Sequence, residues 1–87
     1  MKGPWRGGAV YNRKVKMIDW IPVSDSTRIT AMAYEAGTAR IFVRFPEDVE
    51  WWYGDCSELI WEQFQFASSK GQFIREELDH HPNGRFV

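Results

Sequence analysis

The sequence contains little cysteine, little histidine and no long apolar run. Its single cysteine, Cys56, excludes an intrachain disulfide and any metal site built from several cysteines. No apolar stretch approaches the roughly 18 residues of a membrane-spanning helix, so none is predicted. Lys2 and Arg6 are followed by no apolar run, so we expect no signal peptide. Together these absences favour a reducing, cytoplasmic setting.

Acidic residues are missing from the first 16 positions, which carry five basic side chains. Residues 17–87 carry 12 acids and six basic residues, a net charge of −6. The chain is therefore a basic arm of charge +5 followed by an acidic body. Such asymmetry is typical of an interaction tail, although a solvated terminus has the same composition. We assign residues 1–15 to the arm, 16–82 to a single domain and 83–87 to a short tail.

The sequence is rich in aromatic residues, with five Trp, three Tyr and six Phe in 87 positions. Each ring buries a large apolar area, so even a chain of this length can form one core. Alternation is clearest in Arg40–Phe45, where Ile41, Val43 and Phe45 face one way and Arg40, Phe42 and Arg44 the other. Ile29–Glu35 and Glu50–Gly54 are the neighbouring candidate strands, and a further strand near 16–21 is possible. The turns between them predict an antiparallel meander of three to four strands.

The pattern changes to helical spacing after Gly54. Asp55 or Ser57 is a candidate N-cap, and Ile60, Phe64 and Ala67 share one helical face. A second helix is predicted to begin near Ser69 or Lys70 and to end at residues 82–84. The fold class is therefore α+β, with two C-terminal helices packed on one face of the sheet. The expected core is Ile29, Ile41, Val43, Phe45, Ile60, Phe64, Ala67, Phe73 and Leu78.

Between the helices lies "ASSKGQF", which is not a phosphate-binding P-loop, because it has a single glycine and follows a helix. Ser68 and Ser69 can cap the second helix, and Gly71 is expected to have a positive φ or a close backbone contact. A catalytic Ser–Lys pair with Lys70 is the less favoured interpretation.

Several segments in order resemble the KTSC domain: "VSDSTRITAMAYE", "ARIFVRF", "EWWYGD" and "ASSKGQF". The chain departs from the family pattern at Ile74-Arg75 and Leu78-Asp79. The resemblance implies a small domain found at the C-terminus of some lysyl-tRNA synthetases and as stand-alone bacterial and phage proteins. It also implies RNA or tRNA as a partner, the host cytoplasm as location if a phage encodes the chain, and a signature turn formed by Ser68, Ser69, Lys70 and Gly71.

Two surfaces are candidates for binding. A strand face that mixes Arg and aromatic side chains can hold RNA, which gives Arg40, Phe42 and Arg44, together with Arg13, Lys14 and Lys16 of the arm. Alternatively, Phe42 covers the sheet and the two arginines pair with acids. The body's negative charge opposes phosphate binding.

The second candidate surface is centred on Trp52. Trp51 and Trp52 point to opposite faces of one strand, so one of them is expected to be exposed. Trp52 beside Glu47, Asp48 and Glu50 has the composition of a protein hot spot that binds a basic partner. A Trp covering a thin core would also fit this position.

Catalytic chemistry is not indicated. Asp79, His80 and His81 form at most a fragment of a metal site, because no other histidine exists. Cys56 with either histidine lacks an identifiable orienting acid or oxyanion hole. We therefore predict a non-enzymatic module without metal, cofactor or membrane contact, whose function is protein interaction or self-association. RNA binding is the alternative.

Overall fold

The computed structural model describes residues 18–86, which form a five-stranded antiparallel sheet and two α-helices. The strands occur in chain order across the sheet: β1 (Ile21–Pro22), β2 (Ala31–Glu35), β3 (Arg40–Arg44), β4 (Glu50–Tyr53) and β5 (Asn83–Arg85). The helices α1 (Glu58–Phe66) and α2 (Lys70–Glu76) lie between β4 and β5 in sequence. The predicted α+β class, with an antiparallel meander followed by two helices, is confirmed.

The number of strands differs from the prediction. Residues 83–87 read as a short tail because Pro82, Asn83 and Gly84 end a helix, whereas Asn83–Arg85 pair with β4 as a fifth strand. Gly84 permits this pairing because a Cβ there would lie 3.1 Å from the indole Nε1 of Trp52. The pairing thus depends on the missing side chain of Gly84, which leaves room for the Trp52 indole and which strand propensity does not reveal.

The core lies between the helices and the sheet face that carries Ile41, Val43 and Tyr53. The helices contribute Phe64 and Ile74, each with no exposed surface. Burying these side chains removes apolar area from water and supplies the main stabilisation of the domain. Trp61 of α1 stacks on Tyr34 of β2 with ring centroids 5.5 Å apart, which fixes the helix to the sheet.

Most of the predicted core is confirmed. Ile29, Ile41, Val43, Phe64 and Leu78 are buried, and Phe45, Ile60 and Phe73 pack against them. Ala67 is the exception, because it is the C-cap of α1 and its extended backbone takes it off the helical face. The prediction omitted the buried residues Met32, Tyr53, Cys56 and Ile74.

The second helix is shorter than its pattern predicts. The α-helix ends at Glu76, and Leu78–His80 continue as a 3₁₀ turn. That turn keeps Leu78 fully buried. Within the described residues, no helix is long and apolar enough to cross a membrane.

Candidate functional site

One face of the sheet packs against α1 and α2, and within residues 18–86 neither helix lies on the opposite face. We call the second one the open face, defined by Trp20, Glu35, Arg40, Phe42, Arg44, Glu50, Trp52 and Phe86. Phe42, Trp52 and Gly84 are successive cross-strand partners on it, and directly opposed residues of antiparallel strands share a face. The two surfaces that the sequence suggested, one with Arg40, Phe42 and Arg44 and one with Trp52 and Glu50, are therefore the same surface.

Trp52 is half-buried at the centre of the open face. Its indole lies across Gly84 and touches the position where a Cβ of Gly54 would stand, at 3.2 Å. The guanidinium of Arg40 lies 4.9 Å from the ring centroid, which is cation–π distance. Trp52 therefore has a cation as its close neighbour, where the sequence suggested a rim of acids.

The three predicted acids are dispersed. Glu50 pairs with Arg44, with Oε2 2.8 Å from Nε, and its carboxylate is thereby committed. Glu47 and Asp48 are exposed in the turn Pro46–Asp48 that joins β3 to β4, and both have positive φ. The charge of this turn is available to solvent, but it lies at the end of the hairpin and not on the open face.

Phe42 and Arg44 are also committed within the protein. Phe42 is only 3% exposed. Its ring centroid lies 6.5 Å from that of Trp20 and 4.9 Å from that of Phe86. The guanidinium of Arg44 lies 4.4 Å from the Trp20 ring centroid in addition to its pairing with Glu50. The ring of Phe42 is therefore too buried for a nucleic-acid base to stack on it. Arg13, Lys14 and Lys16 lie outside the described residues.

Sequence reasoning missed Trp20 and Phe86 as members of this face. Both lie just beyond short edge strands, β1 and β5, whose pairing carries little alternation signal. A parity argument from Trp52 through β5 would have found Phe86 only if the pairing of Gly84 with Trp52 had been known.

In the family-like turn, the signature turn formed by Ser68, Ser69, Lys70 and Gly71, Lys70 has a structural role. Although charged, Lys70 is only 8% exposed, and its Nζ donates to the carbonyls of Gln65 and Ala67, each at 2.9 Å. The last carbonyls of a helix lack intrahelical partners and carry partial negative charge. Lys70 therefore closes the C-terminus of α1 from the first position of α2.

The remaining residues of the turn order the start of α2. Ser69 is the N-cap, since its Oγ accepts from the backbone N of Gln72 at 3.2 Å. Ser68 is exposed. Of the two alternatives expected for Gly71, a positive φ is not found and a close approach to its backbone is. A Cβ there would lie 3.2 Å from Cβ of Arg28.

The structure brings Cys56 next to His81, with Sγ 3.7 Å from Nδ1. The imidazole Nδ1–H donates to the carbonyl of Gly54 at 2.9 Å, so this nitrogen is not free to take a proton from the thiol. Burial raises the pKa of the Cys56 thiol to about 11. A buried, protonated thiol is not an activated nucleophile. In the part of the chain that is described, no three His, Cys, Asp or Glu side chains group around a common metal position.

Comparison with known proteins agrees with this fold. The family model of the KTSC domain matches residues 25–81, which is more than half of the chain. The crystal structure of a KTSC domain protein from Yersinia pestis superimposes with a TM-score of 0.74 over 80% of this chain and 99% of that one, at 24% sequence identity. No curated protein matches the chain.

At that identity the Yersinia pestis structure supports the fold alone, and the matched family model supports membership. The chain therefore belongs to the KTSC domain family.

Proposed function

We propose that this protein is a non-enzymatic binding module that uses its open face to bind protein, and that the protein bound there is a second copy of the same chain. The observation that carries the proposal is the half-buried ring of Trp52 on a sheet face to which no helix of residues 18–86 contributes. Large rings that are partly desolvated at the centre of a surface are typical of interface hot spots.

The charges of the face favour a second copy over a purely basic partner. Arg40 already occupies the cation–π position on Trp52, so a partner's Lys or Arg would have to displace it. The face also carries Glu35, the cross-strand partner of Arg40, and therefore presents both signs of charge. A two-fold contact brings each such patch against its own copy, so a surface of mixed charge can be self-complementary.

The overall charge favours the same occupant. The whole chain has a net charge of −1, so two copies repel each other weakly. Nucleic-acid binding depends on neutralising phosphates, and the same net charge of −1 provides no excess of basic residues for it. Self-association is thus electrostatically easier than RNA binding for this chain.

Sedimentation equilibrium over a range of concentrations tests the proposal. The wild-type chain is expected to reach a mass twice that of its 10.2 kDa monomer. Trp52→Ala removes one hot-spot ring from each side of a two-fold contact. At about 2 kcal/mol per ring, the two losses weaken dimerisation roughly 1,000-fold.

Phe66→Ala is the matched control, because Phe66 is 82% exposed at the end of α1 and outside the open face. It should leave the dimer unchanged. Circular dichroism of Trp52→Ala verifies that the monomer remains folded, and Arg40→Glu provides a second disruption that leaves the ring in place. A wild-type chain that stays monomeric at millimolar concentration refutes the proposal. If a single-stranded RNA oligonucleotide binds the monomer instead, the RNA alternative replaces it.

A further inference from the structure

A cavity of about 380 Å³ opens on the helix-side face of the sheet, at the end of β4 and away from the open face. Its walls include the apolar side chains of Phe45, Val49 and Trp51, and Tyr53 lines it as well. Arg28 and Asp79 contribute the charges. Volumes of this order are typical of small-molecule sites, which combine mostly apolar walls with a few polar groups.

The walls are held in place before any ligand arrives. The Trp51 indole Nε1 donates to Oδ1 of Asn83 at 3.0 Å, and Asn83 Nδ2 donates to the carbonyl of His81 at 2.8 Å. The backbone N of Phe45 donates to the carbonyl of Val49 at 2.7 Å, which closes the hairpin beneath the cavity. A pocket with fixed walls loses little free energy to ordering when it binds.

Arg28 is directed to the cavity by the family-like turn. Its stem lies against Gly71, where an added Cβ would be 3.3 Å from Cγ of Arg28. The Oγ of Ser26 accepts from the backbone N of Arg28 at 3.0 Å and fixes the start of the segment. The guanidinium then lies 5.4 Å from the ring centroid of Phe45. Among the described residues, no carboxylate is within ion-pair distance of Arg28.

Tyr53 is the buried polar residue of the cavity wall. It is 2% exposed, and among residues 18–86 its hydroxyl has no hydrogen-bond partner. Burial, helped by the charge of Asp79 and opposed by that of Arg28, raises the pKa of Tyr53 to about 12. All three side chains line the same cavity. A buried hydroxyl with no partner costs free energy that a ligand can recover.

We propose that this cavity binds a small zwitterion with an apolar body, of the class of a free amino acid with an aromatic or branched side chain. The ligand carboxylate meets Arg28 and the Tyr53 hydroxyl, and its ammonium meets Asp79. Its side chain packs on Trp51, Phe45 and Val49. Among residues 18–86, neither Arg28 nor Asp79 forms an ion pair. A ligand with one charge would leave the other protein charge facing an apolar body.

Titration of the full-length chain with L-phenylalanine, followed by NMR, tests the proposal. A saturable shift of the Trp51 indole N–H, without a matching shift of the Trp52 indole, is expected. Two probes of the same shape each lack one charge: 3-phenylpropionate has no ammonium, and 2-phenylethylamine has no carboxylate. Each should bind at least about tenfold more weakly, because each loses a charge-assisted hydrogen bond.

Three variants locate the site. Arg28→Met, Asp79→Asn and Tyr53→Phe should each weaken L-phenylalanine binding about tenfold or more. Arg75→Met, which removes an exposed cation of α2 outside the cavity, should leave L-phenylalanine binding unchanged. No saturable shift at millimolar L-phenylalanine overturns the proposal, as does equal binding of all three probes. Binding that survives both Arg28→Met and Asp79→Asn also overturns the proposal.

Discussion

Replacing Lys70 by methionine tests whether the family-like turn stabilises the fold. Methionine keeps most of the apolar stem and leaves little cavity, but it removes the charge and both hydrogen bonds to the α1 carbonyls. A cation at the first position of α2 opposes the dipole of that helix. The hydrogen bonds from Lys70 to the α1 carbonyls must therefore outweigh its unfavourable interaction with the dipole of α2.

The expected magnitude follows from these two bonds. Hydrogen bonds to charged groups contribute roughly 1.5–3 kcal/mol each, and a carbonyl left without a partner adds a desolvation cost. The lower figure, applied twice, gives a loss of about 3 kcal/mol. For a domain of this size each kcal/mol corresponds to roughly 4–8 °C, so Tm should fall by at least about 12 °C.

Urea unfolding followed by circular dichroism measures this loss. Arg75→Met is the control, because it makes the same change on the same helix at an exposed position. It should alter the free energy of unfolding by no more than about 0.5 kcal/mol. If Lys70→Met costs less than about 1 kcal/mol, the buried ammonium is not what holds the two helices together.

Two further predictions concern stability. Ser69→Ala removes the N-cap of α2 and should cost about 1 kcal/mol, whereas Ser68→Ala, at an exposed neighbour, should be neutral; equal effects would contradict the capping assignment. The pKa values of Cys56 and Tyr53 are raised from 9.0 and 10.0 to about 11 and about 12, so their stabilisation is complete below pH 9 and is lost as pH rises through those values. Unfolding free energy should fall between about pH 9 and about pH 12, less steeply above about pH 10 in Tyr53→Phe, and a flat profile would contradict the assigned burial.

The fold was predictable where side-chain alternation is strong. Ile41 and Val43 alternate with Arg40, Phe42 and Arg44, and this pattern assigned both faces of β3 correctly. The two helices were predictable because serine caps precede apolar residues at helical spacing. Local rules were sufficient for these elements because their stabilising contacts are close in sequence.

The sites were less predictable because they combine distant segments. The open face became one surface only through the pairing of Phe42 with Trp52. The cavity joins Arg28, Tyr53 and Asp79, which belong to three separate parts of the chain. The buried position of Lys70 was not predicted, because lysine is almost never buried without a partner. Its partners are backbone carbonyls, whose positions cannot be inferred from residue types.

The short strand β5 belongs to both faces of the sheet. Asn83 holds the indole of Trp51 on one side, while Gly84 lies under the indole of Trp52 on the other. Because β5 joins the sheet only after both helices, its pairing must close a much longer loop than the hairpin between β3 and β4. We expect β5 to dock late in folding and to fray early. Its docking should then complete the cavity and the open face in one step, so that a ligand on either face also slows hydrogen exchange on the other.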